Sequence, residues 1–314
     1  MIWTDPEWLA EATAWIRAHA EVTGEIEQPH VRPWSTVMRV PTARGVLWFK
    51  ACIPVLAHEP ALLEALAARR PDAVPELVAV DKPRGWMLQR HAGTRLRELV
   101  QGEALAEVWR DLLPLHAELQ IDVAADCEAL LAAGAPDRRL ALLPTQYEGL
   151  VADGAVAAAL SDAEARTAQE LVSRIAELCG ELAGLGIPET IQHDDLHDGN
   201  VFVRDGRYLF FDWGDACVSH PFFTLVVTLG SVRYALGLPE RAPELDRLRD
   251  AYLEPWGRFA PLAELRQAFP GAYRLGMIGL ALKWSLLAPN LPAPFDEEYA
   301  DAALERLRIF LAAS

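Results

Sequence analysis

The chain has 314 residues, 52% hydrophobic and 24% charged, with a formal net charge of −16 at pH 7; it can bury a sizeable core, and its acidity argues against nucleic acid as a partner. No 18-residue uncharged apolar run and no basic, signal-like N-terminus occurs, so neither helical membrane spans nor a secretory leader is expected and a cytoplasmic protein is predicted. Cys52, Cys127, Cys179 and Cys217 stand far apart without a C-x-x-C pair, which reads as reduced thiols and excludes a disulfide framework or zinc site.

Residues 32–40 bridge two strand-like runs, with Ser35 in the connecting loop. Residues 46–51 form an apolar strand that contains Lys50, one of two lysines before position 90. An ammonium emerging from so apolar a segment is costly without a charged partner. The candidates are Glu59 and Glu64, at the start and middle of a helix marked by Pro60 and by Leu62, Leu63 and Leu66 at helical spacing. Residues 81–85 are a turn, and Trp86 to Gln89 form a strand leading into Arg90, His91, Ala92 and Gly93. Beyond it the pattern is mostly helical. Residues 107–116 form a helix in which His116 is a hydrogen-bonded core residue, and residues 137–150 read as a loop. Further helices are expected over 164–185, 246–253, 262–268, 273–287 and 297–313.

The most informative stretch is residues 192–215, QHDDLHDGNVFVRDGRYLFFDWGD. Asp195 stands five residues before Asn200, and two β-branched and aromatic runs flank the turn Arg204-Asp205-Gly206-Arg207. Asp212 follows the second run. Two carboxylates and an amide at the ends of a hairpin can converge on one cleft. Phosphoryl transfer needs such a set: one carboxylate to orient and deprotonate a hydroxyl, and an Asn and an Asp to hold magnesium against nucleotide phosphates.

These residues resemble the aminoglycoside phosphotransferase and choline kinase superfamily. Its catalytic loop reads roughly His-Gly-Asp-Leu-His-x-Gly-Asn, with Ile-Asp-Trp downstream; here the corresponding segments are His193 to Asn200 and Phe211-Asp212-Trp213. Asp194 replaces the usual Gly and Asp198 a common Pro, so two adjacent aspartates compete for the role of base, and the spacing to Asn200 favours Asp195. The resemblance implies an α+β, protein-kinase-like fold. Residues 1–93 would be an N-lobe sheet with one helix, and residues 94–314 a helical C-lobe holding the catalytic loop and acceptor site. It further implies ATP, or GTP in its place, with Mg2+ on Asn200 and Asp212. Lys50 would lie at the phosphates, paired with Glu59 ahead of its Leu-Leu pair. Ser35 would sit in the phosphate-covering loop, and the hinge around Gln89 and His91 would read the adenine edge through its backbone.

Residues 1–94 carry 10 basic and 11 acidic side chains, so residues 95–314 carry 19 basic and 34 acidic ones. An acidic C-lobe would concentrate a cation, which points to an aminoglycoside, aminosugar or amino-alcohol as acceptor. Asp215, Asp296, Glu297 and Glu298 are the acidic residues in the regions where relatives build that site. The alternatives are a nucleotide-binding pseudokinase and a metal-dependent hydrolase built on the His193–Asp198 cluster.

Overall fold

The computed structural model describes residues 2–313. A five-stranded antiparallel sheet, in the order β1-β2-β3-β5-β4, comprises β1 (Glu27–Val31), β2 (Ser35–Thr42), β3 (Gly45–Cys52), β4 (Leu77–Asp81) and β5 (Trp86–Arg90). Side chains alternate across its two faces. Phe49, Ala51, Trp86 and Leu88 pack on one side with α1 (Pro6–His19), whereas Met87 joins Leu62, Leu63 and Leu66 of α2 (Glu59–Arg69) on the other.

Helix α1 is an addition to the single N-lobe helix expected. Asp5 caps it by accepting from the Glu7 and Trp8 amides, Pro6 opens its first turn, and Trp8, Ala12, Trp15 and Ile16 form its buried stripe. Trp15 and Trp86 meet edge to face at 6.0 Å, and Phe49 and Trp86 at 5.5 Å, a geometry that aromatic quadrupoles favour.

Residues 91–93 lead from β5 to β6 (Thr94–Arg95), which pairs with β8 (Val201–Arg204); β8 in turn pairs with β9 (Arg207–Phe210). The predicted hairpin is present. Its two central residues, Asp205 and Gly206, both have positive φ, 51° and 73°, as a tight hairpin turn matching strand twist requires. Strands β7 (Thr190–Gln192) and β10 (Cys217–Ser219) form a second small antiparallel pair on either side of the 193–216 segment in sequence.

The helical lobe contains α3 (Ala104–Val123), α4 (Leu143–Ala152), α5 (Asp162–Ala183), α6 (Leu225–Leu236), α7 (Pro243–Leu253), α8 (Leu262–Leu287) and α9 (Ala302–Ala312). Among the described residues no helix is long and apolar enough to cross a membrane. Three sequence expectations are corrected here. The loop expected over 137–150 is largely α4, because Pro144 starts a helix and Leu143, Tyr147 and Leu150 bury one face. The helices expected over 262–268 and 273–287 are one, running through Pro270 while Phe269, Ala272, Leu275 and Gly276 hold both sides of it in the core. Residues 297–313 divide into a short helix, Phe295–Glu298, and α9.

The C-terminal segment also returns to the sheet. Leu287 and Leu291 belong to the same buried cluster as Phe49 and Trp86. Tyr299 stacks on Trp284 at 5.4 Å and meets Trp34, in the turn between β1 and β2, edge to face at 5.9 Å. The two lobes are thus joined by packing as well as by the linker.

Gly93 has φ of +98°, and a Cβ there would strike the backbone carbonyl of Val203. Gly206 also has positive φ, but nothing lies within 4 Å of its Cβ position. Gly206→Ala should therefore cost only the left-handed backbone penalty, about 1–2 kcal/mol. Gly93→Ala should cost clearly more, because the linker must move away from β8; urea unfolding of both variants checks this.

Candidate active site

Lys50 is 7% exposed and faces away from α1. Its Nζ lies 2.7 Å from the Glu59 carboxylate and 2.6 Å from Asp212 Oδ1. Burial opposes the ammonium charge, but Asp212 and Glu59 overcome it and hold the Lys50 pKa well above its ordinary value. Glu59 is itself pinned: it accepts from the Trp213 amide at 3.1 Å and from Cys52 Sγ at 3.3 Å. Burial pushes the Glu59 carboxyl up against the pull of Lys50. Surrounding protein also favours the neutral form of Asp212, but the adjacent ammonium outweighs it and keeps that carboxyl below the usual range. Glu64 pairs instead with Lys82 at 2.6 Å, on the surface.

Asp212 reaches Lys50 from a left-handed backbone, φ 61° and ψ 65°, a conformation Asp tolerates at some cost. The segment before it is tied to the catalytic loop. His193 Nε2 lies 2.8 Å from the Phe211 carbonyl, and the Phe211 amide donates to the Asn200 carbonyl at 2.8 Å. Burial lowers the His193 pKa, so its ring is neutral and Nε2–H is the donor.

The adjacent aspartates have opposite surroundings. Asp194, with φ of 59°, is 3% exposed. Its Oδ2 accepts from the buried Arg138 at 2.9 Å. Asp195 is about one-third exposed and accepts from Asn200 Nδ2 at 2.9 Å. His197 adds a donor. Its Nδ1 lies 2.9 Å from Arg97 Nη2 and accepts from the Gly199 amide at 3.0 Å. The ring proton therefore sits on Nε2, which faces Asp195 Oδ2 at 3.5 Å. Desolvation works against the Asp195 charge, but His197 and the Lys283 ammonium hold its pKa below the ordinary value.

Lys283, from α8, was not singled out by the sequence reading. It lies 3.2 Å from the Asp194 carbonyl and 3.1 Å from Asp215 Oδ2. Burial raises the Asp215 pKa to about 6 despite Lys283, and Asp195 and Asp212 add to the rise. A usable signal existed: the chain has three lysines, Lys50, Lys82 and Lys283, so arginine serves nearly every other cationic position. Arg138 and Arg97 carried no comparable mark.

Each of the two side chains expected from sequence to hold magnesium keeps one oxygen outside the contacts described above. Asn200 commits its Nδ2 to Asp195, which leaves the amide oxygen for a ligand, and Asp212 is half exposed with one oxygen on Lys50. Such oxygen donors suit Mg2+ completed by phosphate. Among the described residues no three His, Cys, Asp or Glu side chains gather to hold a metal unaided.

The remaining candidates fall less simply. Ser35 is buried in the first position of β2, opposite Cys52, and the turn itself is Arg32-Pro33-Trp34. The His91 amide is committed to the Val46 carbonyl at 3.2 Å, and its own carbonyl accepts from Arg204 at 3.0 Å. His91 therefore cannot offer that amide to adenine, and its backbone reading is corrected. Gln89 lies in the ladder between β3 and β4, with its side chain buried on the Lys50 face. His116 is a core residue, as expected, buried between Phe210 and Trp213 with the Gln120 side chain beside it.

A cavity of about 460 Å3 opens beside Arg138, lined by Gln146, Leu150, Asp153, Leu282 and Leu286 among others. A smaller one adjoining it is bounded by His58, Arg138, Asp215 and Lys283. Asp296, Glu297 and Glu298 line neither, since their short helix packs through Phe295 against the N-terminal core.

The model of the phosphotransferase enzyme family (APH) matches residues 48–262, and the chain belongs to that family. No curated protein matches the sequence. The fold is protein-kinase-like. It is similar to an ethanolamine kinase of Plasmodium vivax at 13% identity and a TM-score of 0.67, covering 98% of this chain and 89% of that one. It is also similar to the macrolide 2′-phosphotransferase MphH of Brachybacterium faecium, at 22% identity and a TM-score of 0.60, covering 94% and 97% of the two chains. A third similar structure is the amicoumacin kinase hAmiN in complex with AMP-PNP, Ca2+ and Ami, at 13% identity and a TM-score of 0.57, covering 97% and 94%.

The burial of Asp194 and the exposure of Asp195 predict different losses. Asp194→Ala would strand the buried Arg138 guanidinium and should cost about 3–5 kcal/mol of stability. Asp195→Asn should change stability by under about 1 kcal/mol, because it leaves no buried charge unpaired. Urea denaturation separates the two.

Proposed function

We propose that the protein transfers a phosphoryl group from ATP, or GTP, to a hydroxyl of a small cationic acceptor. The observation that carries this reading is the buried cluster of Lys50, Glu59 and Asp212, with Asp195 held by Asn200 near enough to Asp212 to act on its charge. Lys50 keeps its charge and would bind the nucleotide phosphates. Asp195 is ionised and half-buried, so it can orient the acceptor hydroxyl and take its proton. His197 Nε2–H and Asn200 Nδ2 hold that carboxylate in place. Asn200 and Asp212 would hold Mg2+, which supplies charge neutralisation at the phosphates. A pseudokinase would not need this complete set.

The cavity beside Arg138 is the best-placed space for the acceptor. Its apolar wall of Leu150, Leu282 and Leu286 suits a carbon skeleton, and Asp153 offers an ammonium group a carboxylate, Asp137 being already paired with Arg139. The 34 acidic and 19 basic side chains of residues 95–314 would add long-range attraction.

Incubation with Mg·ATP and a panel of amino-alcohols, aminosugars and aminoglycosides should give ADP release and an acceptor heavier by one phosphoryl group. Asp195→Asn should lower kcat by about 10²–10⁴ while nucleotide affinity stays within about twofold of wild type, under about 0.5 kcal/mol. Lys50→Ala should show the reverse emphasis, with nucleotide Kd raised far more than acceptor KM. Attraction between exposed charges is screened over about 8 Å at physiological ionic strength. Acceptor kcat/KM should therefore fall as salt rises; a neutral best acceptor with salt-independent turnover would show that the acidity serves solubility alone.

A further inference from the structure

Among the described residues that line the larger cavity, Arg138 is the only cation, and it lines the smaller cavity as well. Its side chain is 7% exposed, and the surface it keeps borders these two spaces. The residue is anchored to β10: its amide donates to the Val218 carbonyl at 2.8 Å, and its carbonyl accepts from the Ser219 hydroxyl at 2.8 Å. A guanidinium carries five N–H donors in a fixed plane. Asp194, at 2.9 Å from Nη1, and the Cys217 thiol take up part of that fork.

Stability does not account for this arrangement. Asp194 holds the arginine from a left-handed backbone, φ 59°, which a residue with a side chain adopts at some cost. Both members of the pair are buried, and replacing a buried ion pair by apolar groups is often neutral or stabilising. What the pair does supply is a rigid charged donor in a cavity whose other polar side chains are engaged elsewhere. Asp137 pairs with Arg139, Gln146 donates to the Asp137 carbonyl, and Ser285 donates to the Leu282 carbonyl. Asp153 is exposed and accepts from the Ala155 and Val156 amides.

Asp194 balances the charge of Arg138, and Asp215 acts on it too. The guanidinium therefore offers directed hydrogen bonds with little net charge, which suits a neutral oxygen (hydroxyl, ether or carbonyl) and repels an ammonium only weakly. Asp195, the proposed base, directly follows Asp194 in the chain, so donor and base are anchored to adjacent residues.

Resting on the phosphotransferase reading above, we propose that Arg138 is a specificity-determining residue. It donates to a neutral oxygen of the acceptor other than the hydroxyl that is phosphorylated, and Asp194 is the positioning residue that holds it there. The acceptor is therefore an ammonium compound with several oxygens, of the aminosugar or larger polyhydroxylated kind, and not an amino-alcohol whose only oxygen is the reacting one. The volume agrees. About 460 Å3 falls within the roughly 300–1,000 Å3 of sites that enclose drug-sized molecules, and a simple amino-alcohol would leave most of it unfilled.

The test compares kcat/KM of the full chain, at saturating Mg·ATP, for ethanolamine and choline, which carry one oxygen, and for glucosamine and kanamycin, which carry several. The best several-oxygen acceptor should exceed the better single-oxygen one by at least about tenfold, the weight of a hydrogen bond to a charged donor. Arg138→Leu combined with Asp194→Gly removes both charges together, strands neither, and places at 194 a residue suited to positive φ. In that protein the preference should shrink by about tenfold to a hundredfold. A purely structural role would lower all acceptors alike, and an unchanged ratio in the double variant would overturn the proposal. Ethanolamine or choline as the best wild-type acceptor would also overturn it, and that measurement decides even if the double variant does not fold. Turnover of none of the four would overturn the phosphotransferase reading itself, a distinct result.

Discussion

The site is organised around one buried positive charge. Lys50 emerges from the most apolar strand of the sheet, where an unpaired ammonium could not persist, and two carboxylates from different parts of the chain balance it. Glu59 comes from the helix packed beneath the sheet, and Asp212 from the segment after the C-lobe hairpin. The demand for charge compensation thus links β3, α2 and the Asp212 turn across both lobes. Glu59 also accepts the Trp213 amide, so the same carboxylate that steadies the lysine sets the start of the following turn. Removing any member would leave a buried charge or donor without its partner.

Residues 193–200 show how two chemically identical neighbours acquire different surroundings. Asp194 takes a left-handed backbone and turns inward to Arg138, becoming part of a buried ion pair. That reversal leaves Asp195 about one-third exposed, with Asn200 and His197 as donors. Lys283 braces the arrangement from α8 by holding the Asp194 carbonyl and Asp215 together. Leu282 and Leu286, on the same helix, line the larger cavity, so one helix both walls that cavity and holds the Asp194–Asp215 pair.

The acidity of the C-terminal portion is spread more widely than a single binding site. Many of its carboxylates are matched locally: Asp137 by Arg139, Asp126 by Arg69, Glu164 by Arg308. The acidic run at 296–298 lies where the C-terminal segment turns back to the N-terminal core. Net charge counted along a sequence records the field of the whole molecule; it does not say which carboxylates remain free at a given surface.

Features set by local chemistry were legible in the sequence. Asp205-Gly206 could form the tight hairpin turn because both residues accept positive φ; the Lys50 strand was visible as an apolar run and the Pro60 helix as a helical pattern. The need of Lys50 for an acidic partner followed from burial alone. Tertiary structure decided what depends on contacts between distant residues. It chose Glu59 over Glu64, since only the former lies under β3, and turned Asp194 inward because Arg138 waits there. It carried α8 through Pro270, where packing on both sides outweighs a local breaker, and brought Lys283 to the loop from 89 residues away. It also paired the His91 amide with the Val46 carbonyl, a commitment the local sequence did not announce. Sequence determined which chemical groups this chain could bring to a cleft; only the folded packing, which alone sets burial and partnership, decided which of them face it.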